Sequence, residues 1–268
     1  MTKTAVKTDQ TQRSVGQPCQ RCNLVYKDLC HATSDGTLHE DGPLRVRPFG
    51  PDETVVGEGV APEFVGILRQ GILRRVRVNS DGRRNLLEVM RPGDLLGLLE
   101  TGPPDFAVET VTDVEICMFD AGKIRRRIGA DPDFRQEILQ HISRQYERQL
   151  EAIWLRGALT SRERILAFLL FATEFMPVEP QPDGSLMITM VLTRRDWADL
   201  TGTTLETICR LLGELSQKGL VTPDGPQRYR IVDIVALARL AGLEGEPQGL
   251  RMLDAARALQ GSGRFAAE

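Results

Sequence analysis

Residues Thr193–Leu220 have the sequence TRRDWADLTGTTLETICRLLGELSQKGL, in which two short helical patterns flank Gly202. Each pattern has one apolar face, and the inward-facing residues of the first are Trp197, Ala198 and Leu200. Thr193 is placed to cap the opening turn, since a threonine hydroxyl accepts a hydrogen bond from an unpaired amide at a helix start. The stretch therefore predicts two helices joined by a tight turn at the glycine.

The second pattern has two chemically different faces. Its apolar residues recur at helical spacing as Leu205, Ile208, Leu212 and Leu215. Its opposite face presents Glu206, Cys209, Arg210 and Gly213. A helix that packs by one side and offers Glu, Cys and Arg on the other is typical of the recognition helix of a helix-turn-helix, which enters the major groove of DNA. An ordinary helical hairpin is the alternative.

The same segment resembles a known family. TRRDWADLTGTTLETICRLLGEL is similar to the helix-turn-helix of the CRP/FNR superfamily of bacterial transcription regulators, with its E-x-x-x-R core at Glu206 and Arg210. Glu206 can accept a hydrogen bond from a cytosine amino group, and Arg210 can donate two to guanine. Cys209 stands where many members of the FNR branch have serine, and we expect it to be a third base contact. The candidates for phosphate contacts are Thr193, Arg195, Thr203 and Thr204.

Length and charge limit the possible classes of protein. The chain has 268 residues, enough for two domains with cores, and a net charge of −3. A negative net charge argues only weakly against nucleic-acid binding, because the local charge of the binding face matters more than the charge of the whole chain. The N-terminus lacks the apolar core of a signal peptide and no apolar run is long enough to span a bilayer, which predicts a cytoplasmic location.

No catalytic constellation is recognisable in the sequence. The three histidines, His31, His39 and His141, lack metal-ligand spacing, and neither a phosphate loop nor a nucleophile-elbow motif is present. We therefore do not expect an enzyme.

Three cysteines cluster near the N-terminus, after a polar segment (residues 1–17) that we interpret as a flexible arm. Cys19 and Cys22 have the C-x2-C spacing that presents two thiolates to one metal centre, and Cys30 follows after seven intervening residues. A metal or cluster is a plausible source of order for a short segment without its own core. Three incidental surface cysteines are the alternative.

Between Leu44 and Phe119, short apolar runs alternate with Gly, Pro and Asp, which predicts many short strands. A hairpin turn is expected at residues 79–82, and the whole region is expected to form a β-roll. The run RPGDLLG at residues 91–97 resembles the sensor domain of the same superfamily, many of whose members bind cyclic nucleotides in the roll. Glu100 is present, but Asp105-Phe106-Ala107 provides no arginine for a phosphate, so we expect no cyclic-nucleotide binding.

Cys117 stands alone in the last strand of this region, where a small core residue is the simplest interpretation. However, VETVTDVEICMFDAGKI resembles the FNR (fumarate and nitrate reduction) branch of the superfamily, which senses oxygen. The resemblance implies that Cys19, Cys22, Cys30 and Cys117 are the ligands of a [4Fe–4S] cluster. Zinc binding or thiol switching by the same cysteines is an alternative, as is a small effector in the roll.

Residues 131–158 have helical periodicity and are expected to form a dimerisation helix. Apolar and uncharged residues spaced three and four apart predict a coiled-coil seam, formed by Leu139, Ile142, Tyr146, Gln149 and Ile153. Such a helix would hold two helix-turn-helix units about one turn of DNA apart. Packing on its own domain is the alternative.

The sequence thus predicts an α+β protein in several parts. They are a cysteine-rich segment and β-roll sensor (residues 18–130), the dimerisation helix, a winged helix-turn-helix domain (residues 159–240) and a tail without assigned function (residues 241–268). The family resemblance implies an oxygen-responsive activator that binds promoter DNA as a homodimer at a TTGAT-N4-ATCAA-like palindrome. It also implies RNA polymerase as a partner.

Overall fold

A computed structural model of the chain describes residues 45–97, 102–246 and 254. Its strands are β1 (Arg45–Phe49), β2 (Thr54–Val56), β3 (Phe64–Gln70), β4 (Leu73–Val78), β5 (Arg84–Met90), β6 (Leu95–Leu96), β7 (Ala107–Thr110), β8 (Val114–Asp120), β9 (Val178–Pro180), β10 (Leu186–Thr189), β11 (Val221–Pro223) and β12 (Arg228–Ile231). Its helices are α1 (Ala121–Ala130), α2 (Pro132–Ala158), α3 (Ser161–Ala172), α4 (Arg194–Thr201), α5 (Leu205–Gln217) and α6 (Ile234–Leu240). None of these helices is both long and apolar enough to cross a membrane.

The first eight strands form the predicted β-roll from two antiparallel sheets, with strand orders β1-β8-β3-β6 and β2-β7-β4-β5. Alternation along β8 sends its side chains to opposite sides of the sheet. Ile116 and Met118 belong to the core between the sheets, whereas Cys117 and Phe119 pack outward against the helices. The roll therefore has two apolar surfaces, one enclosed and one covered by α1 and α2.

The hairpin between β4 and β5 has the predicted turn. Gly82 N donates to Asn79 O at 2.9 Å, and Asn79 N donates to Arg83 O at 2.9 Å. Gly82 has a φ of 81°, a backbone conformation that glycine adopts without the steric cost of a Cβ atom. The sequence stretch 79–82 thus fixes the register of this hairpin.

Helix α1 was not predicted from the sequence. Asp120 ends β8 and also caps the helix, since its side chain accepts a hydrogen bond from Lys123 N at 2.7 Å. Helix α2 follows at once, with Asp131 as N-cap and Pro132 in the first turn. In the tail, residues 247–253 and 255–268 lie outside the described residues.

Helix α2 is held to the roll by the turn between β5 and β6. His141 Nε2 and Gly93 O lie 2.7 Å apart, and Leu95 N donates to Gln145 Oε1 at 3.2 Å. One turn further, Arg148 forms an ion pair with Asp94, which is almost completely buried. These three side chains, spaced four and three residues apart, lie on one face of the helix. The middle of α2 is therefore fixed to the sensor.

The C-terminal domain has one apolar core around α3. Thr160 and Glu163 form a capping box at the start of α3, and the helix buries most of its residues. The sheet β11-β12-β10-β9 covers this core and ends in the predicted wing, the β11–β12 hairpin. Strand β9 lies in a proline-rich stretch and was not predicted from the sequence.

Two glycines of the roll give a matched test of this packing. We expect Gly71→Ala to destabilise the protein by about 2 kcal/mol more than Gly59→Ala. Both glycines have positive φ, but a Cβ at Gly71 would lie 2.2 Å from Asp113 O, whereas one at Gly59 would meet nothing within 4 Å. Urea unfolding of the two variants, followed by circular dichroism, measures the difference, and equal midpoints would contradict the packing.

Candidate DNA-binding site

Helix α4 begins and ends as the sequence predicts. Thr193 Oγ1 accepts from Asp196 N at 3.1 Å, and Asp196 Oδ2 accepts from Thr193 N at 3.2 Å, which completes a capping box. Gly202 ends the helix in the left-handed conformation, with φ 59° and ψ 43°. Trp197 is completely buried in the domain core and fixes the inner face of α4.

Helix α5 packs on the core by a face that differs in part from the prediction. Ile208, Leu212 and Leu215 are buried as expected, but Leu205 is 50% exposed and was wrongly assigned to the inner face. Leu211 is buried in its place. Leu205 is the first residue of the helix, and the buried stripe begins one turn later and is widened by Leu211 and Leu212 together.

The other face of α5 exposes Glu206, Cys209 and Arg210 to solvent next to one another. Sequence analysis did not single out Arg194 in the first turn of α4, whose Nη1 donates to Cys209 Sγ at 3.5 Å. A hydrogen bond to Tyr229 raises the pKa of Arg194, with the Tyr229 charge as a second cause. Arg194 thus adds a permanent positive charge to the edge of the exposed face.

The predicted phosphate contacts surround this face and differ in accessibility. Thr193, Arg195 and Thr204 are exposed, and Thr204 also caps α5 by accepting from Thr207 N at 3.2 Å. Thr203 is half-buried, and its hydroxyl lies 2.9 Å from the hydroxyl of Thr201. Three of the four candidates are therefore directly accessible to a ligand along the helix-turn-helix.

The helix-turn-helix is tied electrostatically to the sensor. Asp196, which is 1% exposed, accepts from Arg84 Nη1 at 3.0 Å and from Arg74 Nη1 at 3.5 Å. Both arginines also contact Glu109 on β7. Burial raises the pKa of Asp199, the next acid on α4, against the opposing charge of Arg84. Asp196, the acidic member of the α4 capping box, therefore also links α4 to the β4–β5 hairpin.

Of the four predicted cluster ligands, Cys19, Cys22 and Cys30 lie outside the described residues, while Cys117 is buried in β8. Its backbone pairs with Val46 of β1, the first described strand. Its side chain belongs to an apolar cluster shared with α1 and α2. Within the described residues, no group of His, Cys, Asp and Glu side chains forms a complete metal site.

The predicted seam on α2 is exposed at Leu139, Tyr146 and Ile153. Ile142 is half-buried against the roll. Gln149 is half-buried and, like Glu88 of the roll, lines a pocket on the inner side of the helix. Leu150, which is 45% exposed, takes its position on the outer face. The exposed stripe of α2 therefore consists of Leu139, Tyr146, Leu150, Ile153 and Trp154.

A capped helix-turn-helix with a wing, joined by a long helix to a β-roll, defines a DNA-binding transcription regulator. Residues 163–240 match the family described as the Crp-like helix-turn-helix domain, and residues 46–131 match the cyclic nucleotide-binding domain. Together the two matches span more than half of the chain. The chain belongs to the CRP/FNR superfamily, as its sequence indicated.

Individual relatives agree with this assignment. The chain is 24% identical to the transcriptional activator protein FnrL of Cereibacter sphaeroides over 227 residues, 84% of this chain and 92% of the relative. It is 26% identical to the nitrogen fixation regulation protein FixK of Bradyrhizobium diazoefficiens over 209 residues, 77% and 86% of the two chains. It is 26% identical to the anaerobic regulatory protein of Pasteurella multocida over 229 residues, 84% and 82% of the two chains.

A solved structure supports the same family assignment. The fold matches FixK2 from Bradyrhizobium japonicum with a TM-score of 0.65 and 26% identity, over 74% of this chain and 98% of the other. The α+β fold, the β-roll and the helix-turn-helix are thus confirmed. The chain is a transcriptional activator of the FNR/FixK type, and its relatives are regulators and not enzymes.

Two leucines of α5 test which face is buried. We expect Leu211→Ala to destabilise the protein by about 2–5 kcal/mol, because it leaves a cavity in a closed core. Leu205→Ala removes an exposed side chain and is expected to change stability by less than about 0.5 kcal/mol. Thermal unfolding of both variants measures the contrast, and a reversed order would restore the original assignment of the face.

Proposed function

We propose that this regulator senses oxygen through a [4Fe–4S] cluster on Cys19, Cys22, Cys30 and Cys117, and that the cluster controls dimerisation. The dimer binds a TTGAT-N4-ATCAA-like palindrome in the cytoplasm and activates transcription by contact with RNA polymerase. The observation that carries the proposal is the position of Cys117 in the apolar cluster that joins the roll to α2.

The surroundings of Cys117 fit a ligand shared with the N-terminal segment. The side chain lies on the outer face of β8, not inside the roll, and its backbone partner Val46 lies on the strand into which that segment leads. Cys30 precedes Val46 by sixteen positions. An extended chain of this length reaches about 50 Å, so no limit of length keeps the other cysteines from Cys117.

A bound cluster supplies a centre that oxygen degrades. Cys117 connects that centre to α2 because it packs in the same cluster as Phe134 and Ile138, in the first two turns of the helix. Packed cores respond to a displaced side chain by switching between arrangements, not by deforming smoothly. Coordination by Cys117 therefore has a short path of side-chain contacts to the start of the dimerisation helix.

The exposed stripe of α2 supports a dimer. Tyr146 is 61% exposed and Ile153 62% exposed, and both would be buried by a second copy of the same helix. The helix has 27 residues and is therefore about 40 Å long. Two recognition helices must lie about 34–36 Å apart to enter successive turns of the major groove, a separation that a dimer of such helices can set.

The exposed face of α5 supports reading of that palindrome. Glu206 can accept from a cytosine amino group, and Arg210 can donate two hydrogen bonds to the edge of guanine. Cys209 lies between them as the third base contact, and its thiol is a weaker donor than the serine of many FNR relatives. The names of the relatives FnrL and anaerobic regulatory protein agree with a role in oxygen response.

Two arginines separate base reading from phosphate docking. We expect Arg210→Ala to lose about 1–3 kcal/mol of discrimination between the palindrome and a site with its guanines replaced. Arg195→Ala should weaken both sites equally and reduce the slope of log affinity against log salt by about one. Fluorescence anisotropy with both DNAs at several salt concentrations measures these quantities, and unchanged discrimination in Arg210→Ala would contradict the assigned base contact.

Two cysteines provide a matched test of the cluster. Cys117→Ala, purified without oxygen, should lose the visible absorbance, the bound iron and sulfide, and at least ten-fold in DNA affinity. Cys209→Ala should keep the absorbance, because that residue lies in the other domain. Iron and sulfide analysis also separates the cluster from zinc. A Cys117→Ala protein with full absorbance and full DNA affinity would refute the proposal.

A further inference from the structure

A cavity of about 100 Å³ lies where the two domains meet, outside the β-roll. Strand β5, the second half of α2, and helices α3 and α4 all contribute to it. We call it the interdomain cavity. Much of its lining is apolar, including Leu87, Ala152, Leu155, Phe168, Phe171 and Phe175. An engineered cavity of about 150 Å³ with a similar lining holds benzene, so the space suits one small ring or a short branched chain.

Three of the six charged residues on the lining have carboxylate or guanidinium partners. Arg91 pairs with Glu174 at 3.2 Å, and Glu88 pairs with Arg75 at 3.0 Å. Arg148 pairs with Asp94. These residues therefore contribute little net charge to the cavity.

Arg156 and Arg164 differ from the other arginines of the lining. Among the described residues, neither has a carboxylate partner, and their hydrogen bonds go to backbone carbonyls and one serine hydroxyl. Burial lowers the pKa of Arg156, and the neighbouring charge of Arg164 lowers it further. Arg164 Nε is also buried without a hydrogen-bond partner in the described part of the chain. Two half-buried guanidinium groups therefore share one site without a counter-charge.

The same two arginines hold the turn of the helix-turn-helix. Arg156 Nε donates to Leu200 O at 3.0 Å, and Arg164 Nη2 donates to Gly202 O at 3.3 Å. Carbonyls at a helix C-terminus provide only a partial negative charge, equivalent to about half a unit for the whole helix. The hydrogen bonds to Leu200 O and Gly202 O therefore leave most of the positive charge of Arg156 and Arg164 uncompensated.

We propose that the interdomain cavity binds a small apolar carboxylic acid. Its carboxylate lies against Arg156 and Arg164, and its hydrocarbon part lies among Phe171, Phe175 and Leu155. Guanidinium groups match carboxylates in shape and charge, and the apolar lining favours a ligand with a hydrocarbon body over a bare inorganic anion. Glu151 also lines the cavity, but it precedes Arg156 by about 7.5 Å along the axis of α2. The carboxylate of the ligand therefore binds at the end of the cavity where the two arginines lie.

An occupant would contact both domains at once. It would share Arg156 and Arg164 with the turn that joins α4 to α5, and so change how firmly that turn is held. Binding to the cavity is independent of the cluster, but its effect on DNA affinity rests on the proposed function.

Isothermal titration calorimetry of the full chain without DNA tests the binding. The probes are benzoate, benzyl alcohol as the uncharged ring, and inorganic phosphate as the anion without a ring. We expect benzoate to bind at least ten-fold more tightly than either of the others. Equal affinities for benzoate and benzyl alcohol, or no detectable binding of benzoate, would overturn the proposal.

Paired variants locate the site. Ala152→Leu fills the cavity and Arg156→Gln removes one charge, and each should weaken benzoate binding at least ten-fold. The exposed controls on the same helix, Ala158→Leu and Arg144→Gln, should leave it unchanged. If Arg156→Gln fails to fold, Ala152→Leu decides the result, because it keeps both arginines. Unchanged benzoate binding in Ala152→Leu would place the ligand elsewhere and refute the proposal.

DNA binding provides the second measurement. Saturating benzoate should change the affinity for the palindrome at least three-fold in the unmodified protein and less than that in Ala152→Leu. Benzoate binding without any change in DNA affinity would overturn the regulatory part of the proposal. A protein that binds benzoate but no palindrome would refute the proposed function and leave the cavity assignment standing.

Discussion

One buried carboxylate joins the two domains of this chain. Asp196 completes the capping box of α4 and at the same time lies between Arg74 and Arg84 of the sensor. A buried charge is tolerated only when it is paired and hydrogen-bonded, and removing one partner of such a pair typically costs about 3–5 kcal/mol. The start of the helix-turn-helix and its attachment to the roll therefore depend on the same side chain.

A second contact fixes the long helix in the same way. His141, Gln145 and Arg148 hold the middle of α2 to the turn between β5 and β6, largely through backbone groups of Gly93 and Leu95. The outer face of the helix keeps its apolar stripe for another molecule. The β-roll, the long helix and the helix-turn-helix are thus connected by buried polar contacts.

Local sequence patterns predicted most of the fold and the part of the site that depends on one helix. The threonine cap, the left-handed glycine and the exposed Glu206, Cys209 and Arg210 all follow from spacing within a few residues. Leu205 was assigned to the inner face because its spacing from Ile208 fits helical periodicity, and periodicity alone does not show at which turn the buried stripe begins. Helical spacing likewise allows either Gln149 or the adjacent Leu150 in the outer stripe, and only the packing of α2 against the roll distinguishes them.

Contacts between residues far apart in the chain could not be predicted, because they leave no pattern in the local sequence. Arg74 and Arg84 lie 122 and 112 residues before Asp196, on strands where exposed arginines are common. Helix α1 was missed because its cap, Asp120, is also the last residue of a strand and because three arginines interrupt its apolar pattern. Strand β9 was missed since prolines lie at both ends of the stretch that forms it.

The burial of Asp196 also determines how ionic strength acts on the protein. At physiological salt, exposed charges more than about 8 Å apart are largely screened, and each phosphate contact that forms on DNA releases bound cations. Buried pairs such as Asp196–Arg84 are screened much less. Rising salt therefore dissociates the regulator from DNA before it separates the domains. The released molecule keeps its recognition helix in the orientation set by its own sensor, and it can return to DNA without reassembling that contact.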